Sequence, residues 1–146
     1  MSNLQPTPIA AARMPQPNAI PTFLIKVPAG FPSPATDYQD EALDLNDYLV
    51  RHKDASFFFT VRGHSMSGAG ILDGDKVLAD KSIDPQHGHI VVASIDGQFT
   101  LKRLYRCDGR IELRPENPQY RTICLKEGEE LQVWGVVVGL ARKMMS

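Results

Sequence analysis

The sequence predicts a mainly β domain, compact and partly closed in the manner of a barrel, with one short helix and an extended N-terminal arm. Two observations carry that prediction. From Ser56 onward, short β-branched and aromatic runs alternate with turn residues, and one pair of runs flanks Asp96-Gly97, a two-residue hairpin signal. Before Ser56, apolar residues recur at helical spacing in a single place, while residues 1–29 hold Pro6, Pro8, Pro15, Pro17, Pro21 and Pro28, a density that blocks helix and interrupts any ladder. At 146 residues the chain suffices for one domain with its own core, plus a tail.

In chain order, the arm contains one apolar patch, Phe23-Leu24-Ile25-Lys26-Val27, able to lie as an added strand on a sheet edge. The next stretch, Pro28-Ala29-Gly30-Phe31-Pro32-Ser33-Pro34, puts small residues between prolines and reads as an open, protease-accessible linker. Asp44 is an N-cap, and Leu45, Tyr48 and Leu49 form the apolar stripe of a short helix running to about His52. Strands are expected at residues 57–62, 76–79, 89–95, 98–106, 110–114, around 122–125 and at 131–140, with Asp73-Gly74-Asp75 as a turn. Glu127-Gly128-Glu129-Glu130 reads as a solvated turn.

Charge and composition exclude some classes. With 16 basic and 17 acidic residues and a net charge of -1, nothing favours wholesale coating of DNA or an anionic membrane. No apolar run approaches the roughly 20 residues that span a bilayer, and residues 1–18 lack the apolar centre of a signal peptide, so the expected compartment is the cytoplasm. Cys107 and Cys124 cannot form a disulfide framework and are expected as reduced, partly buried thiols.

Chemistry concentrates at Val61-Arg62-Gly63-His64-Ser65-Met66-Ser67-Gly68, where a strand gives way to a turn that presents a hydroxyl. A serine hydroxyl becomes a nucleophile only when a base takes its proton. His64 is a poor direct base, since neighbours near a strand end point apart. His87-Gly88-His89 lacks a third ligand at diagnostic spacing and reads as a turn entering a strand. Ser-x-x-Lys chemistry fails because Gly68 stands where the lysine belongs. Along the strand at 98–106, period two places Thr100, Lys102 and Leu104 on one face and Phe99, Leu101 and Arg103 on the other. Lys102 then has two fates. It snorkels to water, or it is buried beside Ser65, where desolvation disfavours the ammonium and lowers its pKa toward neutrality. Arg103 cannot serve, because a guanidinium keeps its proton.

Gly63-His64-Ser65-Met66, Asp73-Gly74-Asp75, Gly88-His89-Ile90-Val91-Val92-Ala93 and Phe99-Thr100-Leu101-Lys102-Arg103-Leu104, in that order, resemble the self-cleaving serine proteases of the LexA and UmuD family. Ala29-Gly30-Phe31-Pro32-Ser33-Pro34-Ala35, Asp44-Leu45-Asn46 and Trp134-Gly135-Val136-Val137 extend the resemblance to the UmuD branch and its plasmid-borne members, so that it runs from about residue 27 to about residue 138. The resemblance implies the family's β catalytic fold, Ser65 as nucleophile, Lys102 as neutral general base, and the Ser65 amide with a neighbour as oxyanion donors. The implied cleavage site is Ala29-Gly30, preceded by Val27, which divides the chain into an arm at 1–29 and a peptidase-like domain at 30–146. Small side chains there let an extended peptide enter a buried site without clash. It further implies a homodimer, a RecA filament on single-stranded DNA as activator, and an SOS role as accessory subunit of an error-prone translesion polymerase with a UmuC-like partner. No cofactor or metal is implied, and neither are direct sequence-specific nucleic acid binding or a membrane. His64 stands where an acidic or small polar residue is common, and Pro28 removes an amide donor from the arm.

Three rivals are weighed against this. Residues 1–29 are too short and proline-rich for a repressor's helix-turn-helix. A non-catalytic dimerisation and polymerase-docking module of the same fold would be marked by loss of Ser65 or Lys102, and both are present. A type I signal peptidase shares serine-lysine chemistry and needs a membrane anchor, which this sequence does not supply.

Overall fold

The computed structural model describes residues 19–23, 27–32, 39–125 and 131–145, in two units that divide between Val50 and Arg51. Most of the anticipated apolar strand, Leu24-Ile25-Lys26, and the turn Glu127-Gly128-Glu129-Glu130 lie outside the described residues.

In the first unit, β1 (Ile20–Phe23) runs antiparallel to β2 (Gln39–Leu43), with Ile20 opposite Leu43 and Phe23 opposite Gln39. The register slips between Ile20 and Thr22, where Pro21 has no N–H to give a ladder. Strand β2 was not expected: Gln-Asp-Glu-Ala-Leu has no β-branched or aromatic residue, and pairing with β1 overrides that local preference. Ala29 and Gly30 lie in a bend on the connection between these strands. The helix α1 (Leu45–Leu49) begins as expected, its Asp44 carboxylate accepting from the Asn46 amide at 2.8 Å. It stops short of His52 because β-branched Val50 takes an extended conformation, φ -99° and ψ 111°.

The second unit is one seven-stranded antiparallel sheet. Its strands are β3 (Ser56–Thr60), β4 (Lys76–Asp80), β5 (Ile90–Ile95), β6 (Gln98–Cys107), β7 (Arg110–Arg114), β8 (Ile123–Cys124) and β9 (Leu131–Ala141), in the spatial order β3-β4-β9-β5-β6-β7-β8. The mainly β class with one short helix is therefore the class observed, the sheet remaining open, with β3 and β8 at its edges. Asp96 and Gly97, both with positive φ (48° and 83°), turn β5 into β6 as the hairpin signal requires. Asp108 and Gly109 repeat the device between β6 and β7.

Two apolar clusters fill the unit. Val91, Ala93, Leu104, Leu113 and Val136 form one; Met66, Ile71 and Val77 form the other. Strands β4 and β9 approach closely at Gly135, where a Cβ would lie 3.2 Å from that of Ala79. The cysteines depart from expectation. Both are free, and both are exposed rather than partly buried: Cys107 ends β6 at its hairpin, and Cys124 lies on the short edge strand β8.

Candidate active site

The loop joining β3 to β4 carries Ser65 and is stapled at its neck. Val61 donates to Asp75 O and Gly74 donates to Val61 O, each at 2.8 Å, while the Gly63 amide donates to Asp73 Oδ1 at 2.6 Å. Gly63 has φ 91°, a conformation that side chains disfavour, so the turn into His64-Ser65 needs this residue. Met66, 1% exposed, pins the turn to the core against Ile71 and Val77. Burying such a side chain contributes about 1.5–3 kcal/mol, enough to fix which way the neighbouring serine faces.

Beyond Met66 a single 3-10 turn, Ser67–Ala69, closes on Gly70 in the left-handed conformation (φ 80°). Residues Glu116 and Asn117 grip this turn from the other side. The Glu116 amide donates to Ser65 O and the Gly68 amide to Glu116 O, both at 2.7 Å. Asn117 Nδ2 donates to His64 O at 2.8 Å and lies 3.3 Å from Ser67 Oγ. Gly68 is demanded by this packing, because a Cβ there would sit 2.5 Å from Glu116 O.

A third tie comes from the end of the chain. Arg142 donates from Nε and Nη2 to the two oxygens of buried Asp75, each at 2.6 Å, and from Nη2 to Gly70 O at 2.7 Å. Asp75 Oδ2 also accepts from the Leu72 amide at 2.7 Å. The Arg142 hydrogen bonds outweigh the cost of burial and hold the Asp75 pKa at about 2.

Lys102 comes to this turn from β6. It is 9% exposed, and its Nζ lies 3.1 Å from Ser65 Oγ, 2.8 Å from Thr100 Oγ1 and 3.1 Å from Leu101 O. Of its two anticipated fates, burial beside the serine is the one adopted. Among the described residues no carboxylate forms an ion pair with it, and burial pushes its pKa below the ordinary lysine value. Arg103, on the opposite face, pairs with Glu116 Oε1 at 2.6 Å and donates to Gly88 O at 2.7 Å. Among the described residues the amides of Ser65 and Met66 donate to no acceptor.

Ser65 and Lys102 are thus brought together, while Ala29 and Gly30 belong to the first unit, exposed between Val27 and Phe31, which are 86% and 92% exposed. The His64 side chain is exposed, and its carbonyl is what the turn uses. His87 and His89 each spend Nδ1 on a backbone amide, from Arg106 and Gln86 respectively, at 3.0 Å. Glu116 and Asn117 were missed by sequence reasoning. Their available signal was the pair of prolines, Pro115 and Pro118, that sets them in a turn.

Residues 21–138 match the Peptidase S24-like family. Protein SamA of Salmonella typhimurium is 44% identical over 138 residues, covering 94% of this chain and 96% of that protein. Protein MucA of Escherichia coli is 41% identical over 121 residues, covering 82% of each. The LexA repressor of Paracidovorax citrulli is 39% identical over 120 residues, which are 82% of this chain and 53% of the repressor.

Proposed function

This chain belongs to the Peptidase S24-like family, and on that footing we propose that it cleaves itself between Ala29 and Gly30 with Ser65 as nucleophile and Lys102 as general base. The observation that carries the reading is the 3.1 Å separation between Ser65 Oγ and the Nζ of a buried lysine that no described carboxylate neutralises.

The chemistry runs in two halves. Neutral Lys102 Nζ accepts the Ser65 proton as Oγ attacks the Ala29 carbonyl carbon, and the oxyanion that forms is held by the Ser65 amide with that of Met66. The lysine returns the proton to the Gly30 nitrogen, the C–N bond breaks, and Ala29 remains as an ester on Ser65. Water, deprotonated by Lys102, then attacks the ester; Ser65 recovers its proton and the carboxylate of Ala29 departs. Thr100 Oγ1, 2.8 Å from Nζ, orients the amine through these steps. Residues 1–29 are the arm released, and 30–146 the part retained.

The wider role follows the family resemblance. The intact chain is stimulated to cleave by a RecA filament on single-stranded DNA, and the trimmed chain acts in the cytoplasm as a homodimer, the accessory subunit of a UmuC-like translesion polymerase in the SOS response. No helix among the described residues is long and apolar enough to cross a membrane.

Purified protein held at mildly alkaline pH, or with RecA, nucleotide and single-stranded DNA, is expected to yield a fragment beginning at Gly30 by N-terminal mass analysis. A product with any other N-terminus rejects the assigned bond, and continued self-cleavage by a Ser65→Ala protein rejects the nucleophile.

A further inference from the structure

The His64–Ser65 peptide is trans, as are all the described peptide bonds. In a trans peptide the carbonyl and the amide of the same plane point in opposite directions. Whatever holds His64 O therefore aims the Ser65 N–H. The side chain that holds it is Asn117, whose Nδ2 lies 2.8 Å away, and the Ser67 amide reaches the same oxygen at 3.2 Å. The next plane is governed in the same way, because the Glu116 amide on Ser65 O turns the Met66 N–H to the side away from Glu116.

Asn117 is itself held firmly. Its Oδ1 accepts from the Gln119 amide at 2.9 Å and its carbonyl from the Tyr120 amide at 3.1 Å, so the side-chain NH2 is the end left to face the serine turn. With its oxygen already committed, the amide can meet His64 O only as a donor. A leucine would leave that carbonyl without its side-chain partner, and an aspartate would set an anion against it.

We propose that Asn117 is a positioning residue that orients the Ser65 amide toward the oxyanion, acting through the His64 carbonyl and touching no reacting atom itself. The inference rests on Ser65 being the nucleophile. Loss of a direct oxyanion donor slows acyl transfer by about 10²–10³-fold, and a donor left in place but free to turn away costs less, about 10–100-fold.

The test is the rate of self-cleavage of the full chain against pH, per folded molecule, together with the rate at which a fluorophosphonate labels Ser65. Asn117→Ala is expected to lower the plateau of cleavage by about 10–100-fold and to slow labelling in proportion, with the midpoint of the pH profile unchanged because Lys102 is untouched. Ser67→Ala, which removes only the 3.3 Å neighbour of Nδ2, is expected to keep the wild-type rate. Should Asn117→Ala not fold, Asn117→Asp, which retains the acceptor for Gln119, is expected to show the same loss. A folded Asn117 variant that cleaves within twofold of wild type overturns the proposal, as does a loss that Asn117→Ala produces by moving the pH midpoint. Failure of the underlying reading looks different: wild type is not labelled at Ser65, or Ser65→Ala still cleaves, whatever Asn117 does.

Discussion

The loop that carries Ser65 and the segment that carries Ala29-Gly30 are opposites in construction. The first is tied at its neck, underneath by Met66, on one side by Glu116 and Asn117, and on another by Arg142. The second is a short bend with Val27 and Phe31 in solvent, and a Cβ built on Gly30 would meet nothing within 4 Å. Ties are concentrated at the proposed nucleophile, and among the described residues none holds the bond proposed for cutting. A catalytic group held within a fraction of an ångström needs such support, whereas a peptide that a protease binds in extended form does not.

That contrast makes graded predictions. Lys102→Met is expected to have the largest effect, reducing self-cleavage by about 10³-fold or more while leaving the fold intact, read by gel and circular dichroism. It also tests the buried amine through stability. Because the folded-state pKa lies below that of the unfolded chain, the unfolded state binds more protons between the two values, and wild-type stability rises with pH across that window. Lys102→Met is therefore expected to melt a few degrees above wild type at neutral pH, with the gain vanishing as pH approaches 10.5. The wild-type cleavage rate should climb with pH through the same lowered value.

Gly68→Ala comes next. Its methyl would press on Glu116 O, and since both groups are backbone-fixed the turn must move. Cleavage is expected to fall about 10-fold or more, with a loss of about 1–3 kcal/mol in urea unfolding. Arg142→Gln should show a smaller cleavage defect and a melting temperature lower by a few degrees. Asp75 is depressed to about 2 from 3.8, so its contribution is complete above pH 3.8 and fades as pH falls through 2; the gap between wild type and Arg142→Gln should close over that interval in acid melts. The smallest structural effect belongs to Gly30→Val, expected to change stability by less than about 0.5 kcal/mol while slowing cleavage. A marked loss of stability there would mean that the substrate segment is built into the fold, and the contrast would fail.

The sheet of the second unit was nearly all legible, because its strands are apolar and β-branched runs punctuated by glycine and aspartate. Positions 110–114 were read to the residue, and the others within one or two. From residue pattern Ser65 and Lys102 were legible as two candidates, and the family resemblance was what paired them. They are 37 positions apart, and period two states which face Lys102 occupies without stating what lies over it. Strand β2 was hidden by composition, since Gln39-Asp40-Glu41-Ala42-Leu43 acquires its conformation from β1. Glu116 and Asn117 were hidden for another reason. They act on carbonyls and amides of the main chain, groups every residue has, so no residue type at 64 or 65 advertises them, and Gly68 signals a close approach without naming its partner.

Strand β9 is the last of the described strands in chain order and lies inside the sheet, between β4 and β5. The β3–β4 pair bears the loop with Ser65, the β5–β6 pair bears Lys102, and the two share no ladder of their own. A ribosome delivers residues 131–141 after both hairpins. The bond proposed for cutting, the serine and the lysine therefore all leave the exit tunnel before the strand that unites the two hairpins. In a growing polypeptide the 3.1 Å contact between Ser65 and Lys102 therefore waits on β9, and a chain that self-cleaves as proposed would be spared trimming until that strand is in place.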